Sequence, residues 1–192
     1  MRWFWIDRFT ELVSGVRATS VKNVSLAEDH LHDHFKGCPI MPNSLIVEGM
    51  AQTGGILVNE WSDFRERVVL AKLARSRFHF PAAPGDTLTY RSEIIQLGQD
   101  GAMVSATSHV GERLQADADM FFAHLDVDHR AGESLFEPED FLNWLKILKV
   151  FEVGRKEDGS PIKIPPHLAS SETAAGGNAK GAEFAANRGS KP

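Results

Sequence analysis

The sequence predicts an α+β fold, a curved antiparallel β-sheet wrapped around one central apolar helix, with a C-terminal helical extension. Three observations carry this. Residues 45–58 are apolar or small on every side, except at Glu48 and Gln52, so this helix has little for solvent to face. Four segments between residues 67 and 125 read as strands divided by turn signals. Strands that are polar outside and apolar inside need something to cover, and the helix at 45–58 is the element available.

In chain order, "SGVRATSVKNVSL" is rich in Val, Thr and Ser with partial alternation, as in a strand with one wet face. The central helix follows, about four turns long, with Asn43 or Ser44 placed to cap its start. Next come "RVVLAKLARSRFHF", "DTLTYRSEIIQL", "GAMVSATSHV" and "RLQADADMFFAHL", separated by "PAAPGD", "GQDG" and "VGE", with Asp100-Gly101 as a hairpin signal. In the last strand Leu114, Ala116, Ala118, Met120 and Phe122 share one face and Gln115, Asp117 and Asp119 the other.

Beyond residue 130 the character changes. "EPEDFLNWLKILKVFEVG" puts Pro138 near a first turn, Glu139 and Asp140 beside it, Lys146 and Lys149 late and Gly154 past the end, which predicts a helix over 137–151. From residue 169 the chain is rich in Ala, Gly, Ser and Asn with almost no large apolar side chains, and is expected to stay disordered. The predicted organisation is a sheet-and-helix domain over 1–130, an amphipathic helical extension over 131–168 and a tail over 169–192.

A chain of 192 residues, 42% hydrophobic and 24% charged, has the length of one globular domain plus an extension. Its net charge of -5 argues against a general nucleic-acid binder, which needs a basic surface to displace counterions. Cys38 is the single cysteine, so no intrachain disulfide forms. The opening "MRWFWIDRF" has too short an apolar run for a signal peptide, and no stretch reaches the roughly 18 apolar residues of a membrane helix. A cytoplasmic protein with neither nucleic acid nor membrane as partner is expected.

The densest chemistry lies in "DHLHDHFKGCPIMPNSLIVEGMAQTGG", residues 29–55. An acid on an otherwise apolar helix carries a desolvation cost that a structural position would avoid, so Glu48 reads as functional. Gln52, four residues on and on the same helix face, is placed either to orient that carboxyl group or to pair with backbone. A strand-like "HLHDHF" would put His30, His32 and His34 on one side and invite a metal. The segment lacks the second spacer of the HxHxDH zinc pattern, however, and a metal would leave Glu48 unexplained, so no metal is expected. Cys38 with His34 as its base is outweighed by the commoner turn cysteine without chemistry. The tail's glycines match neither a Walker loop nor a dinucleotide fingerprint, and no cofactor is expected.

"HFKGCPIMPNSLIVEGMAQ" resembles the signature of the 3-hydroxyacyl-[acyl-carrier-protein] dehydratases of the FabZ/FabA type, roughly HFPGxPxMPGxLxxEAxAQ, and the spacing from His34 to Glu48 matches without a gap. "WIDRFTEL", "VKNVSLAED" and "SRFHFPAAPGDTLTYRSEI" resemble the family's flanking strands and turn, extending the similarity from about Trp5 to Leu125. The resemblance implies the hotdog fold. It also implies His34 and Glu48 as the catalytic pair, with His from one subunit meeting Glu from its dimer mate. The implied partners are an acyl-carrier protein bearing a phosphopantetheine-linked acyl group and a second copy of the chain, in a homodimer or a larger assembly.

Dehydration of a 3-hydroxyacyl thioester needs a base for the C2 proton and an acid for the departing C3 hydroxyl, roles that suit this pair. Charge growing on the thioester oxygen requires donors, and backbone N–H groups around Gly37 or at the start of the central helix are available. Lys36 and Asn43 stand where the family usually has Pro and Gly. Lys72, Arg75 and Arg77 form a local basic stretch suited to an acidic carrier protein, or to a solvated strand face. A hotdog thioesterase, a hydratase acting on coenzyme A esters and a non-catalytic acyl-binding subunit are the alternatives. The family's "HRYPFLL"-like segment, with its tunnel-gating tyrosine, has no counterpart in this sequence. The apolar residues of 137–151 are therefore expected to pack on the flank which that segment would cover, beside the tunnel and replacing part of its wall, or else to cap a sheet edge or join another dimer.

Overall fold

The computed structural model describes residues 4–125 and 138–169. Strand β1 (Arg8–Val13) turns back into β2 (Arg17–Asn23), and a single helical turn, α1 (His30–Asp33), precedes the central helix α2 (Asn43–Trp61). Four long strands follow: β3 (Arg67–Phe78), β4 (Thr87–Gly98), β5 (Gly101–Val110) and β6 (Arg113–Leu125). The chain resumes in α3 (Pro138–Ile147), a second short turn α4 (Val150–Val153) and a two-residue strand β7 (Gly154–Arg155). The sheet order is β3-β6-β5-β4-β2-β1-β7, antiparallel throughout except that β7 joins β1 in parallel. No helix of the described residues is long and apolar enough to cross a membrane.

Helix α2 lies in the concave side of this sheet, and one of its faces is sunk there. Ile46, Met50, Leu57 and Val58 are fully buried against Leu88, Tyr90, Val104 and Met120 in one continuous core. The helix is pinned to β2 by a buried hydroxyl pair, Ser20 Oγ to Thr53 Oγ1 at 2.6 Å, while Thr53 Oγ1 donates back to the Gly49 carbonyl at 2.8 Å. A Cβ on Gly49 would fall on the Tyr90 ring, so the absence of a side chain is what lets helix and sheet approach. Gly49→Ala is expected to destabilise the fold by about 1–3 kcal/mol, the usual cost of overpacking a closed core, read as a lowered urea midpoint with unchanged slope.

Four sequence expectations are corrected. Helix α2 begins at Pro42 as its N-cap with no side-chain cap bond, rather than at an Asn43 or Ser44 cap, because the first helical N–H groups, of Leu45 and Ile46, donate to the Pro42 carbonyl. It runs on to Trp61, and it has an open face: Glu48 is exposed, while Gln52, Gly55, Ile56 and Asn59 are only half-buried. The sheet of one chain covers one side of the helix and leaves the other bare. In β6 the inside and outside places of Leu114 and Gln115 are reversed. A register shift between Ser108 and His109 skips Gln115 in the ladder, so its side chain turns in and donates Nε2 to the Phe80 carbonyl at 2.8 Å. Leu114 is left outside, 39% exposed.

The C-terminal helix is also not continuous. It ends at Ile147, and Lys149 adopts the left-handed conformation with φ 63°, which redirects the chain into α4. This break explains how so many apolar residues find cover. Leu142, Leu145 and Leu148 enter the core from α3 and the turn after it, and Val150 enters from α4. The Leu148 carbonyl accepts the Phe9 N–H at 2.8 Å, and β7 pairs with β1 at Leu12 and Val13. Residues 142–168 thus share the core of the sheet-and-helix unit, with Ile162 and Leu168 also buried in it. Residues 126–137, and the tail expected to be disordered beyond Ala169, lie outside the described residues.

Candidate active site

The histidine segment is a helical turn rather than a strand, so its three imidazoles diverge to three different neighbours. His30 meets the Trp5 ring edge-on at 5.1 Å, His32 Nε2 lies 3.0 Å from the Leu26 carbonyl, and His34 stacks on Phe35 at 4.2 Å. The turn is anchored to β2 through Glu28, whose carboxylate accepts from the Ser25 N–H at 3.0 Å and from the buried Lys22 ammonium at 3.1 Å.

After His34 the chain folds into a tight loop. Phe35 and Cys38 exchange backbone hydrogen bonds at 3.0 and 2.9 Å, the Ile40 N–H donates to the His34 carbonyl at 2.9 Å, and the Met41 N–H donates to the Ala82 carbonyl at 2.8 Å. Gly37 has φ +80°, a left-handed conformation that favours glycine, although a Cβ there would meet nothing. Among the described residues the Gly37 N–H has no partner. The N–H groups of Asn43 and Ser44 are likewise open, because the Pro42 carbonyl binds the Leu45 and Ile46 N–H groups instead. Both sources of oxyanion donors read from the sequence therefore present unpaired amides. Cys38 is an exposed free thiol in this loop.

Glu48 projects from the open face of α2 and is held by Gln52, whose Nε2 donates to Glu48 Oε1 at 3.0 Å. Gln52 Oε1 in turn accepts the Trp5 backbone N–H at 2.9 Å, so the N-terminal segment fixes the amide that orients the acid. Both sequence alternatives for Gln52 are met at once. The carboxylate stands in the wall of an apolar groove of ≈ 390 Å³. It is lined by α2 from Glu48 to Asn59, by Val68 and Leu70 of β3 with Phe122 of β6, and by Phe4, Phe141, Trp144 and Leu148. His34 is not part of that wall. The exposure of Glu48 corrects the expectation of a buried acid, since a single chain does not remove it from water. Phe4 is a site residue the sequence does not single out: "MRWFWIDRF" reads as a short apolar run and, from Trp5, as a strand of the family.

The buried acid of α2 is Glu60, only 4% exposed, with one carboxylate oxygen lacking a partner among the described residues. Burial pushes its pKa up, against a hydrogen bond from Ser14 that lowers it. A carboxyl group raised in the folded state holds its proton more tightly there than in the unfolded chain, so stability is present at low pH and is lost as pH rises above the ordinary value of about 4.3. Glu60→Gln is expected to flatten that decline when thermal midpoints are compared from mildly acid to neutral pH. Parallel curves for variant and wild type would show that Ser14 and its neighbours fully offset the burial.

The basic stretch on β3 is divided. Arg75 is engaged by β6, with Nε at 2.8 Å from Asp119 and a guanidinium nitrogen at 3.3 Å from Asp117. Lys72 and Arg77 are exposed and form no ion pair among the described residues.

A helix lying in the concave face of an antiparallel sheet, with an acid on the helix's open side and a histidine loop at its start, defines a hotdog protein. Solved structures agree on the fold. An uncharacterized protein from Pyrococcus horikoshii is 19% identical, with a TM-score of 0.52 over 64% of this chain and 85% of that one. A Streptococcus mutans protein bound to acetyl CoA is 15% identical, with a TM-score of 0.53 over 65% of this chain and 93% of that one. The FabA-like domain profile matches residues 3–117. Proteins named 3-hydroxyacyl-[acyl-carrier-protein] dehydratase FabZ are 35% identical in Desulforamulus reducens, over 62% of this chain and 84% of that protein, and 38% identical in Symbiobacterium thermophilum, over 64% and 87%. The chain belongs to the FabZ-type dehydratase family.

Proposed function

We propose that this protein is a cytoplasmic 3-hydroxyacyl-[acyl-carrier-protein] dehydratase of fatty-acid or related lipid or polyketide synthesis, active as a homodimer with shared sites. The observation that carries this is the Glu48 carboxylate, oriented by Gln52 at an apolar groove within a FabZ-type frame that also retains His34. In the reaction His34 takes the C2 proton, the C2–H electron pair becomes the C2=C3 bond, and Glu48 protonates the C3 hydroxyl as it leaves as water. The open N–H groups of Gly37 and of the α2 start are the donors for charge on the thioester oxygen. General acid–base catalysis supplies about 10²- to 10⁴-fold and one oxyanion donor about 10²- to 10³-fold, so an enzyme-scale rate draws on both.

The dimer is supported by two features of the single chain. Glu48 lies at a groove whose wall lacks His34, and β3 is a 12-residue edge strand carrying Leu70 and Leu73, 39% and 41% exposed. A long edge with exposed apolar side chains invites pairing. Lys72 and Arg77 remain for an acidic carrier protein, with Arg75 already neutralised by β6. The test is incubation with 3-hydroxyacyl and trans-2-enoyl thioesters on acyl-carrier protein and on coenzyme A, with products read by mass spectrometry. Loss or gain of one water with the thioester intact is expected. Release of a free thiol would identify a thioesterase instead, and no turnover on either carrier would leave an acyl-binding subunit.

A further inference from the structure

We propose that the C-terminal helix α3 forms the far wall of the acyl groove, with Phe141 as the residue that limits acyl chain length. This rests on the thioester reading above. The groove starts at the Glu48 carboxylate and follows the open stripe of α2 to Asn59, a climb of about 16 Å at helical rise. Along α2 the groove passes Ala51, Gly55 and Ile56, a surface for methylenes, and reaches a polar end at Asn59.

Helix α3 divides its apolar residues between two tasks. Leu142 and Leu145 are sunk in the core and hold the helix down, at 0% and 1% exposure. Phe141 and Trp144, on the neighbouring row, are only half-buried and stand over the groove. A helix serving only as a prop would sink its aromatic rings, which are its largest apolar surfaces. Phe141 is backed by the Phe64 ring at 5.9 Å, and the Phe64 N–H donates to the Asn59 carbonyl, so Phe141 stands at the far end of the groove. Trp144 has the Phe4 ring edge-on at 5.2 Å, and Trp5, next to Phe4, is bonded to Gln52, so this pair stands near the Glu48 end. The FabA-like match ends at residue 117, before α3 begins, so this wall lies outside what the chain shares with that profile.

The experiment measures kcat/KM on a ladder of 3-hydroxyacyl thioesters lengthened two carbons at a time, using the full chain, with thermal unfolding of every variant. Phe141→Ala is expected to move the optimum to longer chains. The long-to-short ratio should rise at least about tenfold, because each newly buried methylene is worth about fourfold. Phe141→Leu should shift it less, and Ile56→Phe on α2 should shift it to shorter chains. Ile147→Ala, on the outer side of α3 at 67% exposure, should leave the profile unchanged. If Phe141→Ala does not fold, Phe141→Leu and Ile56→Phe decide the matter. A wild type that turns over no length would defeat the dehydratase reading itself. An active wild type whose Phe141 and Ile56 variants keep its profile would overturn the wall alone, and leave the aromatic rings to fold stability or subunit packing.

Discussion

Replacing His34 by Ala or Glu48 by Gln is expected to lower kcat/KM for interconversion of 3-hydroxyacyl and trans-2-enoyl thioesters by at least about 10³-fold, with thermal midpoints near that of wild type. The fold should tolerate both changes. The His34 ring stacks on Phe35, which is itself 56% exposed, and the exposed Glu48 side chain is bonded by Gln52. Neither side chain belongs to the buried cluster. Because proton removal at C2 and proton delivery at C3 serve one elimination, the double variant should be little slower than either single. Near-wild-type turnover in a folded single variant would remove that residue from the chemistry, and an additive double variant would mean that the two act in separate steps.

The sheet and its helix were legible because alternation and an apolar helix leave few ways to arrange them. The helix's open face was not. Periodicity shows that residues 45–58 are apolar all round, but not whether the sheet, a groove or another chain covers each side, so Glu48 was read as buried when in one chain it stands at a groove. The acid that is buried, Glu60, lay beyond the stretch read as helix. Gln115 was misplaced for a different reason: a single bulge reverses inside and outside locally, and a two-residue repeat contains no trace of it. Lys149 is similar, since nothing in "LKILKVF" marks a left-handed residue, yet without that break Val150 and Phe151 could not join Leu142, Leu145 and Leu148 in the core. The His34-to-Glu48 spacing was legible as a motif, whereas the hold of Gln52 on both Glu48 and the Trp5 backbone required the fold.

Chains carrying His34→Ala and chains carrying Glu48→Gln, each inactive alone, are expected to regain activity when co-expressed, at about half the wild-type rate per mixed dimer. In the proposed dimer, isologous with shared sites, each site would take a histidine from one copy and an acid from the other. A mixed dimer then holds one intact pair and one doubly damaged pair. The single chain offers a physical reason for such sharing. Glu48 sits at a groove whose wall does not include His34, its face of α2 is open to solvent, and on the adjacent edge strand β3 Leu70 and Leu73 are partly exposed. A second copy laid along that edge would dry the acid, cover the apolar strand and bring in the missing imidazole together. Differently tagged chains purified through both tags supply verified mixed dimers, and their specific activity is the measurement. No recovery in such dimers would mean that each chain closes its own His34 onto its own Glu48, which would require the loop after α1 to move across the start of α2.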